Sequence, residues 1–149
     1  MSERLLPAPG VTPETEAFVA AARAGRLMLP WCADCGRTHW YPRALCPHCS
    51  STRLHWKPAS GRGTVYSHST LQRVAVPFTL AYVTLDEGPS MLTNLVDAPA
   101  SGWHIGMAVR VQFQAAEDGT PVAVFSPDQP GSAGLARESG GWHRSVNAR

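Results

Sequence analysis

The chain has 149 residues, of which 44% are hydrophobic and 16% charged, and its formal net charge is +2. This composition is typical of one globular domain, or of two small domains that share a core, and it excludes a disordered chain. No apolar run approaches the roughly 20 residues that span a bilayer, and residues 1–10 lack the apolar core of an export signal, so we expect a cytoplasmic protein without a membrane segment.

Charged residues are unevenly distributed along the chain. Residues 31–73 hold six basic residues and one acidic residue, whereas residues 74–128 hold one basic residue and six acidic residues. A domain that binds nucleic acid over its surface is expected to present one positive field. We therefore do not expect nucleic acid as the partner, although the basic region could still contact phosphate.

The first predicted element is a helix in the segment TPETEAFVAAARAG, residues 12–25. Thr12 is a suitable N-cap, Pro13 suits the first helical position, and Gly25 is expected to end the helix. The helix carries a narrow apolar stripe, made of Phe18, Val19 and Ala22. This stripe either packs on its own domain or is a docking surface for another protein.

All four cysteines lie in the next segment, LMLPWCADCGRTHWYPRALCPHCSS, as two C-x-x-C pairs separated by ten residues. Two short turns of this kind can bring four thiolates around one ion in the closed tetrahedral geometry of structural zinc, with no position left for a substrate. In a reducing cytoplasm a metal site is also favoured over disulfides. The predicted zinc ligands are Cys32, Cys35, Cys46 and Cys49.

Other roles for this segment fit its sequence less well. A redox C-x-x-C motif is followed by a helix that stabilises the thiolate, and CGRTHWYPR has no helical pattern. His48 could replace a thiolate, but we expect it to point outward, and we expect His39 and His55 to be solvent-exposed. About 30 residues bury too little apolar surface to fold alone, so the metal would supply the missing stability.

Five strands follow at short spacing, with turn signals between them. The predicted strands are 63–71, 79–85, 90–97, 106–114 and 121–126. Alternating apolar residues indicate the second and fourth, β-branched and aromatic residues indicate the first, and tight turns at 86–89 and 117–120 precede the other two. The number and length of the strands fit a five-stranded Greek-key barrel of the OB type, although an SH3-like barrel has the same pattern. Residues 128–149 contain many Gly and Ser residues, and we expect a flexible tail there.

The chain lacks a recognisable catalytic set. It contains no G-x-S-x-G, P-loop, G-x-G-x-x-G or H-E-x-x-H motif. Turn chemistry explains the adjacent carboxylates Asp86 and Glu87, and His68 is either a hydrogen-bonded residue of the barrel or part of a ligand-facing surface. The second and third barrel strands offer Tyr82 but no basic side chain for a single nucleic-acid strand. We therefore expect no catalysis by this chain alone.

The order of these motifs resembles a known family. The cysteine segment, SGRGTVYSHSTL, LDEGPSMLTNLV and IGMAVRVQF are similar to the zinc-ribbon and OB-fold acyl-CoA-associated proteins first catalogued as domain of unknown function thirty-five. The resemblance covers about residues 12–127, and it carries the metal ligands onto the four cysteines but carries over no catalytic residue. It implies a mainly β fold with an N-terminal helix, a rubredoxin-like zinc ribbon and a C-terminal five-stranded OB-fold barrel. The expected boundaries are 1–26 for the helical segment, 27–58 for the ribbon, 59–127 for the barrel and 128–149 for the tail.

Proteins of this family accompany thiolase-like enzymes that act as aldolases or acyltransferases on CoA thioesters, and some partner with hotdog-fold hydratases in steroid side-chain degradation. The resemblance thus implies a non-catalytic accessory subunit in a heteromeric complex, with lyase chemistry slightly favoured. The alternative is a stand-alone module that binds acyl-CoA or single-stranded nucleic acid. Basic residues would contact the CoA phosphates or an acidic partner surface, since Arg binds phosphate through a bidentate fork. These candidates are Arg37, Arg43, Arg53, Lys57, Arg62 and Arg73.

Overall fold

The computed structural model describes residues 4–128. Within this range it contains one helix and seven strands. They are α1 (Glu16–Arg23), β1 (Met28–Cys32), β2 (Leu54–Pro58), β3 (Arg62–Leu71), β4 (Phe78–Leu85), β5 (Ser90–Leu95), β6 (Ala108–Ala115) and β7 (Pro121–Pro127). None of the described helical residues form a helix long and apolar enough to cross a membrane. The tail expected at 128–149 lies, apart from its first residue, outside the described residues.

The helix α1 begins three residues later than the sequence predicts. The carbonyl of Thr12 accepts hydrogen bonds from the backbone N–H groups of Thr15 and Glu16, at 3.0 Å each, and forms a turn before the helix. The backbone N–H of Thr12 donates to the hydroxyl of Thr15 at 2.9 Å. Thr15 therefore stands at the N-cap position that the sequence assigned to Thr12, and Pro13 belongs to the preceding turn.

The end of α1 follows the prediction, with Gly25 just beyond the last turn. Gly25 has a φ of 73°, a left-handed conformation that costs glycine little. Its N–H donates to the carbonyl of Ala22 at 2.9 Å, and the N–H of Arg26 donates to the carbonyl of Ala21 at 3.0 Å. This pair of hydrogen bonds is a Schellman motif, which turns the chain from the helix toward β1.

The ribbon is built on a two-stranded antiparallel sheet, β1–β2, whose strands the sequence pattern did not predict. Leu29 pairs with Lys57, and Cys32 pairs with Leu54 at the end of the sheet. The ammonium group of Lys57 lies 3.6 Å from the centre of the Trp31 ring, which is a cation–π contact. Because β1 ends at the first cysteine, the sheet ends where the metal-ligand loops begin.

Strands β3–β7 form a closed barrel in the order β3-β4-β5-β7-β6, with β6 returning to β3. The strands β3, β4 and β5 are an antiparallel meander, β6 and β7 are an antiparallel hairpin, and β7 lies parallel to β5 where Leu95 meets Phe125. This strand order is that of the OB-fold, which confirms the OB alternative over the SH3-like barrel. Between β3 and β6 only residues 62–64 of β3 are paired, and backbone hydrogen bonds at Gly61 and Val65 extend this closure by one residue at each end.

The barrel interior follows the alternation that the sequence predicts. Met107 and Val109 are buried, and Phe113 is partly buried against the same core. Leu27 and Leu29 of the ribbon segment also belong to this core, so the ribbon and the barrel share one hydrophobic interior. The other buried members are Val65, Ala81, Val83, Leu85, Met91, Leu95 and Phe125.

Candidate metal centre and the ribbon–barrel cavity

The two cysteine pairs are followed by the same kind of turn. Gly36 follows the first pair, has a φ of 70° and donates its N–H to the carbonyl of Cys32 at 2.8 Å. Ser50 follows the second pair, has a φ of 62° and donates its N–H to the carbonyl of Cys46 at 2.9 Å. In both turns the left-handed residue reverses the chain, so that each C-x-x-C pair folds back on itself.

The four cysteine side chains converge on one point. All four Sγ atoms lie within 4.8 Å of one another, with 3.5 Å between Cys32 and Cys49 and 3.7 Å between Cys35 and Cys46. Thiolates in a tetrahedron at the Zn–S distance of about 2.3 Å lie about 3.8 Å apart, which these separations fit. The four cysteines therefore form a closed site suited to structural zinc.

The pKa values of these thiols indicate what a cation would change. A hydrogen bond from the backbone of Cys35 lowers the pKa of Cys32 to about 6. The pKa of Cys49 is raised to about 12, because burial and the neighbouring thiols outweigh the backbone hydrogen bond from Ser51 that lowers it. Thiolates at these distances repel one another. Bound zinc would hold all four in the ionised form and so keep the ribbon closed.

One histidine near the metal centre is buried, so the prediction of a solvent-exposed His39 is wrong. His39 keeps only 3% of its surface exposed, and neither ring nitrogen has a hydrogen-bond partner in the described residues. Its backbone N–H donates to the carbonyl of Pro30 at 3.1 Å and so holds this part of the loop against β1. Burial lowers the pKa of His39, and the positive charges of His48 and Arg43 lower it further.

The remaining histidines of the ribbon lie where the sequence predicts them. His48 and His55 are both exposed. His48 approaches the cysteine cluster through its backbone N–H, which donates to the Sγ atom of Cys46 at 3.4 Å. The position of His48 is therefore consistent with four sulfur ligands and an outward-pointing ring.

A cavity of about 650 Å³ lies between the ribbon loop and the turn that joins β4 to β5. We call it the ribbon–barrel cavity. Its lining includes charged, histidine and aromatic residues, which are Arg37, His39, Trp40, Arg43, His48 and Glu87. Oε1 of Glu87 accepts a hydrogen bond from the backbone N–H of Ser60 at 2.6 Å, while its buried Oε2 atom has no partner in the described residues. Turn chemistry alone therefore does not account for Glu87, which also forms part of a cavity wall.

The six candidate basic residues do not form one patch. Arg37 and Arg43 line the ribbon–barrel cavity. The other four have separate surroundings: Arg53 lies 2.7 Å from Asp34, Arg62 lies 3.7 Å from Asp128, Lys57 lies over Trp31, and Arg73 is exposed in the β3–β4 loop. The structure thus brings together two of the six residues that the sequence selected by charge alone.

The apolar stripe of α1 is used inside the chain. Val19 and Ala22 are buried, and the ring of Phe18 lies 4.9 Å from the ring of Trp40 in a tilted arrangement. The structure therefore corrects the docking alternative, because Val19 and Ala22 are covered by the chain itself and offer no surface to a partner.

Exposed apolar side chains lie instead on the outer face of the barrel. Tyr82 on β4 pairs with Leu92 on β5, and Tyr66 lies at the bulge of β3 beside the pair of Ser67 and Tyr82. The exposed fractions are 68% for Tyr66, 48% for Tyr82 and 56% for Leu92, and Tyr41, at 51%, borders a small apolar groove with Leu92. We call Tyr41, Tyr66, Tyr82 and Leu92 the apolar row. Of these, the sequence analysis singled out only Tyr82.

A four-cysteine ribbon that shares a core with a five-stranded OB barrel defines a zinc-ribbon and OB-fold protein. The ChsH2 rubredoxin-like zinc ribbon domain matches residues 19–55, and the ChsH2 C-terminal OB-fold domain matches residues 56–114. A DUF35 domain-containing scaffold protein of Methanocaldococcus jannaschii is 30% identical over 96 residues, which cover 59% of this chain and 68% of the relative. The chain belongs to the DUF35 family.

Another relative is longer than this chain. A protein of Thermomonospora curvata described as a probable enoyl-CoA hydratase alpha subunit is 32% identical over 131 residues, which cover 85% of this chain and 41% of that relative. The chain therefore spans less than half the length of that relative.

Two solved structures share the fold. A chain of the structure described as "Ltp2-ChsH2(DUF35) aldolase" has a TM-score of 0.71 and 30% identity, covering 80% of this chain and 98% of that chain. A DUF35 protein of unknown function from Sulfolobus solfataricus has a TM-score of 0.59 and 15% identity, covering 79% and 87%. The second similarity establishes the fold alone.

Proposed function

We propose that this chain is a non-catalytic accessory subunit of a thiolase-like enzyme, and that it supports the partner and its acyl-CoA site in a heteromeric complex. The observation that carries the proposal is the similarity to a chain of the Ltp2-ChsH2 aldolase, 98% of which is covered at 30% identity. Two archaeal relatives are described as scaffold proteins, which supports an assembly role. The cytoplasm is the proposed location, since reducing conditions keep the four thiols available to a metal.

The nucleophile or base belongs to the partner in this proposal. Retro-aldol cleavage of a CoA thioester is favoured over acyl transfer, because the solved relative is described as an aldolase. The description of the Thermomonospora relative as a subunit of a probable enoyl-CoA hydratase supports the same class of substrate, an acyl-CoA. Thioesters of steroid side chains are the acyl groups to test first, in line with the family resemblance.

The apolar row is the proposed contact with the thiolase-like partner. Soluble monomers rarely expose large contiguous apolar patches, and such patches mark interaction sites. Tyrosine is enriched in protein–protein interfaces because it combines a large apolar ring with a hydroxyl group that finds a hydrogen-bond partner. Three tyrosines and one leucine, each about half exposed or more, provide such a surface beside the ribbon.

The test is affinity capture of the tagged full chain from the organism that encodes it, with the retained proteins identified by mass. We expect a thiolase-like protein in stoichiometric amount, and the complex should cleave or form a β-hydroxyacyl-CoA. The double variant Tyr82→Ser/Leu92→Ser should lose the partner. The control Val74→Ser changes a residue that is also exposed, at 41%, but lies in the β3–β4 loop, and it should retain the partner.

Circular dichroism of both variants comes first, so that loss of the partner is not confused with unfolding. A chain that elutes as a free monomer without a thiolase-like protein contradicts the proposal and favours the stand-alone binding module. Equal loss of the partner in the double variant and in Val74→Ser would contradict the assignment of the apolar row.

A further inference from the structure

The ribbon–barrel cavity contains buried polar atoms without a partner in residues 4–128. These atoms are both ring nitrogens of His39 and the Oε2 atom of Glu87. Buried polar groups in folded proteins are nearly always hydrogen-bonded, and leaving one unpaired costs stability. The two residues come from different parts of the chain, a ribbon loop and a barrel turn, and both line one cavity. Because these atoms are buried, a ligand in that cavity would supply hydrogen-bond partners to both residues once their side chains rotate toward it.

Positive charge without a counter-ion lies on the same wall. Arg37 and Arg43 are exposed and line the cavity, and neither takes part in an ion pair within residues 4–128. Both lie on the loop between the two cysteine pairs, so the metal centre limits how far they can move apart. Guanidinium groups bind phosphate through bidentate hydrogen bonds, which makes a phosphate the anion that fits them.

The size and chemistry of the cavity indicate a ligand larger than one phosphate. Its volume of about 650 Å³ falls within the roughly 300–1,000 Å³ that small-molecule sites occupy. The carboxylate of Glu87 only accepts hydrogen bonds, so the ligand must also bring a hydroxyl or amino group. The aromatic residue Trp40 is also part of the cavity wall. Phosphate, hydrogen-bond donors and a flat ring together are the features of a phosphorylated nucleoside.

We propose that the ribbon–barrel cavity binds a phosphorylated nucleoside, with its phosphate on Arg37 and Arg43 and its sugar or base hydrogen-bonded to His39 and Glu87. The source of the ligand rests on the proposed function, in which the chain supports an acyl-CoA site. CoA ends in a 3′-phosphorylated adenosine and therefore carries the features that the cavity requires. A free nucleotide carries the same chemistry, and the choice of probes distinguishes the two sources.

The test is isothermal titration of the zinc-loaded full chain with CoA, dephospho-CoA, adenosine 3′,5′-bisphosphate and AMP. We expect CoA and the bisphosphate to bind, and dephospho-CoA to bind about tenfold more weakly or worse, because it lacks the 3′-phosphate and its charge-assisted hydrogen bonds. Binding of AMP as tightly as CoA would support the site and identify a free nucleotide as its source.

Matched variants locate the binding site. Arg37→Ala and Arg43→Ala should each weaken binding of the bisphosphate by about tenfold, the effect of removing one charged hydrogen-bond partner. Arg73→Ala is the control, since it makes the same change at an exposed arginine outside the cavity. The affinity of this variant for the bisphosphate should equal that of the wild type. All three side chains are exposed, so the fold should be retained in each variant.

Absence of binding by all four probes at millimolar concentration overturns the inference, and so does an equal loss of affinity in Arg73→Ala. Affinity capture of the partner separates this failure from failure of the proposed function. A chain that captures a thiolase-like protein but binds no nucleotide contradicts only the cavity assignment. Loss of that protein in Arg37→Ala and Arg43→Ala, without nucleotide binding, would make the cavity wall a protein contact.

Discussion

Gly63 determines how closely three strands approach one another. It lies on β3 opposite Leu85 of β4 and Val109 of β6. A Cβ atom at this position would lie 2.6 Å from Cγ1 of Val83 and 2.7 Å from the carbonyl oxygen of Thr84. The second atom belongs to the backbone of a paired strand and cannot move aside without loss of sheet hydrogen bonds. The position therefore requires glycine for lack of space.

Gly63→Ala should destabilise the fold by about 1–3 kcal/mol, the cost of forcing an extra methyl group into a packed interior. Urea unfolding measured by circular dichroism gives the free energy of unfolding. Gly10→Ala is the control, because a Cβ atom there meets nothing within 4 Å, and it should change that free energy by less than about 0.5 kcal/mol. A Gly63→Ala variant as stable as the control would contradict the close approach.

His39 should make the fold sensitive to acid. Burial, followed by the charges of His48 and Arg43, lowers the pKa of His39 below its usual 6.5. Below pH 6.5 the unfolded chain therefore binds a proton at His39 more readily than the folded chain does. The contribution of the neutral His39 to the free energy of unfolding is full above this pH and decreases as the pH falls below it. Urea unfolding of the wild type and of His39→Gln over pH 5 to 8 should show a weaker pH dependence in the variant.

The control for this pH effect is His55→Gln, which changes an exposed histidine of the same ribbon. Its pH dependence should match that of the wild type. Zinc content is measured at each pH, since thiolate ligands also release metal in acid. Identical curves for the wild type and His39→Gln would show that His39 is not held neutral by the fold.

Among the secondary-structure elements, the barrel strands were predictable from the sequence and the ribbon strands were not. Alternating apolar residues, β-branched residues and turn signals together placed all five barrel strands within one or two residues of their observed bounds. In the ribbon, β1 has the sequence MLPWC, in which adjacent residues are buried and no alternation remains. The start of α1 was misplaced because Thr12 suits a cap and a preceding turn equally well.

Cys46→Ser should remove zinc from the ribbon and lower the melting temperature of the whole chain. Leu27 and Leu29 join the ribbon to the barrel core, so an unfolded ribbon also weakens the barrel. We expect the melting temperature to fall by about 10 °C or more. Loss of a structural metal costs several kcal/mol, and each kcal/mol shifts the melting temperature of a domain of this length by roughly 2–4 °C. Metal analysis and thermal unfolding provide the measurement.

His48→Ser is the matched control for Cys46→Ser, since His48 lies between two ligands but is exposed. It should retain full zinc content and an unchanged melting temperature. Normal zinc content in Cys46→Ser, or zinc loss in His48→Ser, would contradict the four-sulfur site.

The metal ligands followed from the spacing of the cysteines along the chain, whereas the ribbon–barrel cavity could not be predicted in this way. Two C-x-x-C pairs define their own site because each pair is a local turn. The cavity joins His39 and Arg43 of the ribbon to Glu87 of the barrel, and their proximity depends on how the ribbon packs on the barrel. No periodicity or motif encodes such a contact. Likewise, the apolar row appears only when the strand register is known.

The short closure between β3 and β6 determines which groups a partner can reach. Where a strand is paired on both sides, its backbone groups are used in the sheet and a partner can contact only its side chains. Residues 67–71 of β3 pair with β4, while the backbone hydrogen bonds on the other side of β3 end at Val65, which bonds with Gly106 and Met107 just before β6. In the described part of the chain, this stretch thus presents backbone N–H and C=O groups on its other side, next to Tyr66. This edge of β3 is therefore one place on the barrel that fits strand addition, in which a partner extends the sheet by one strand.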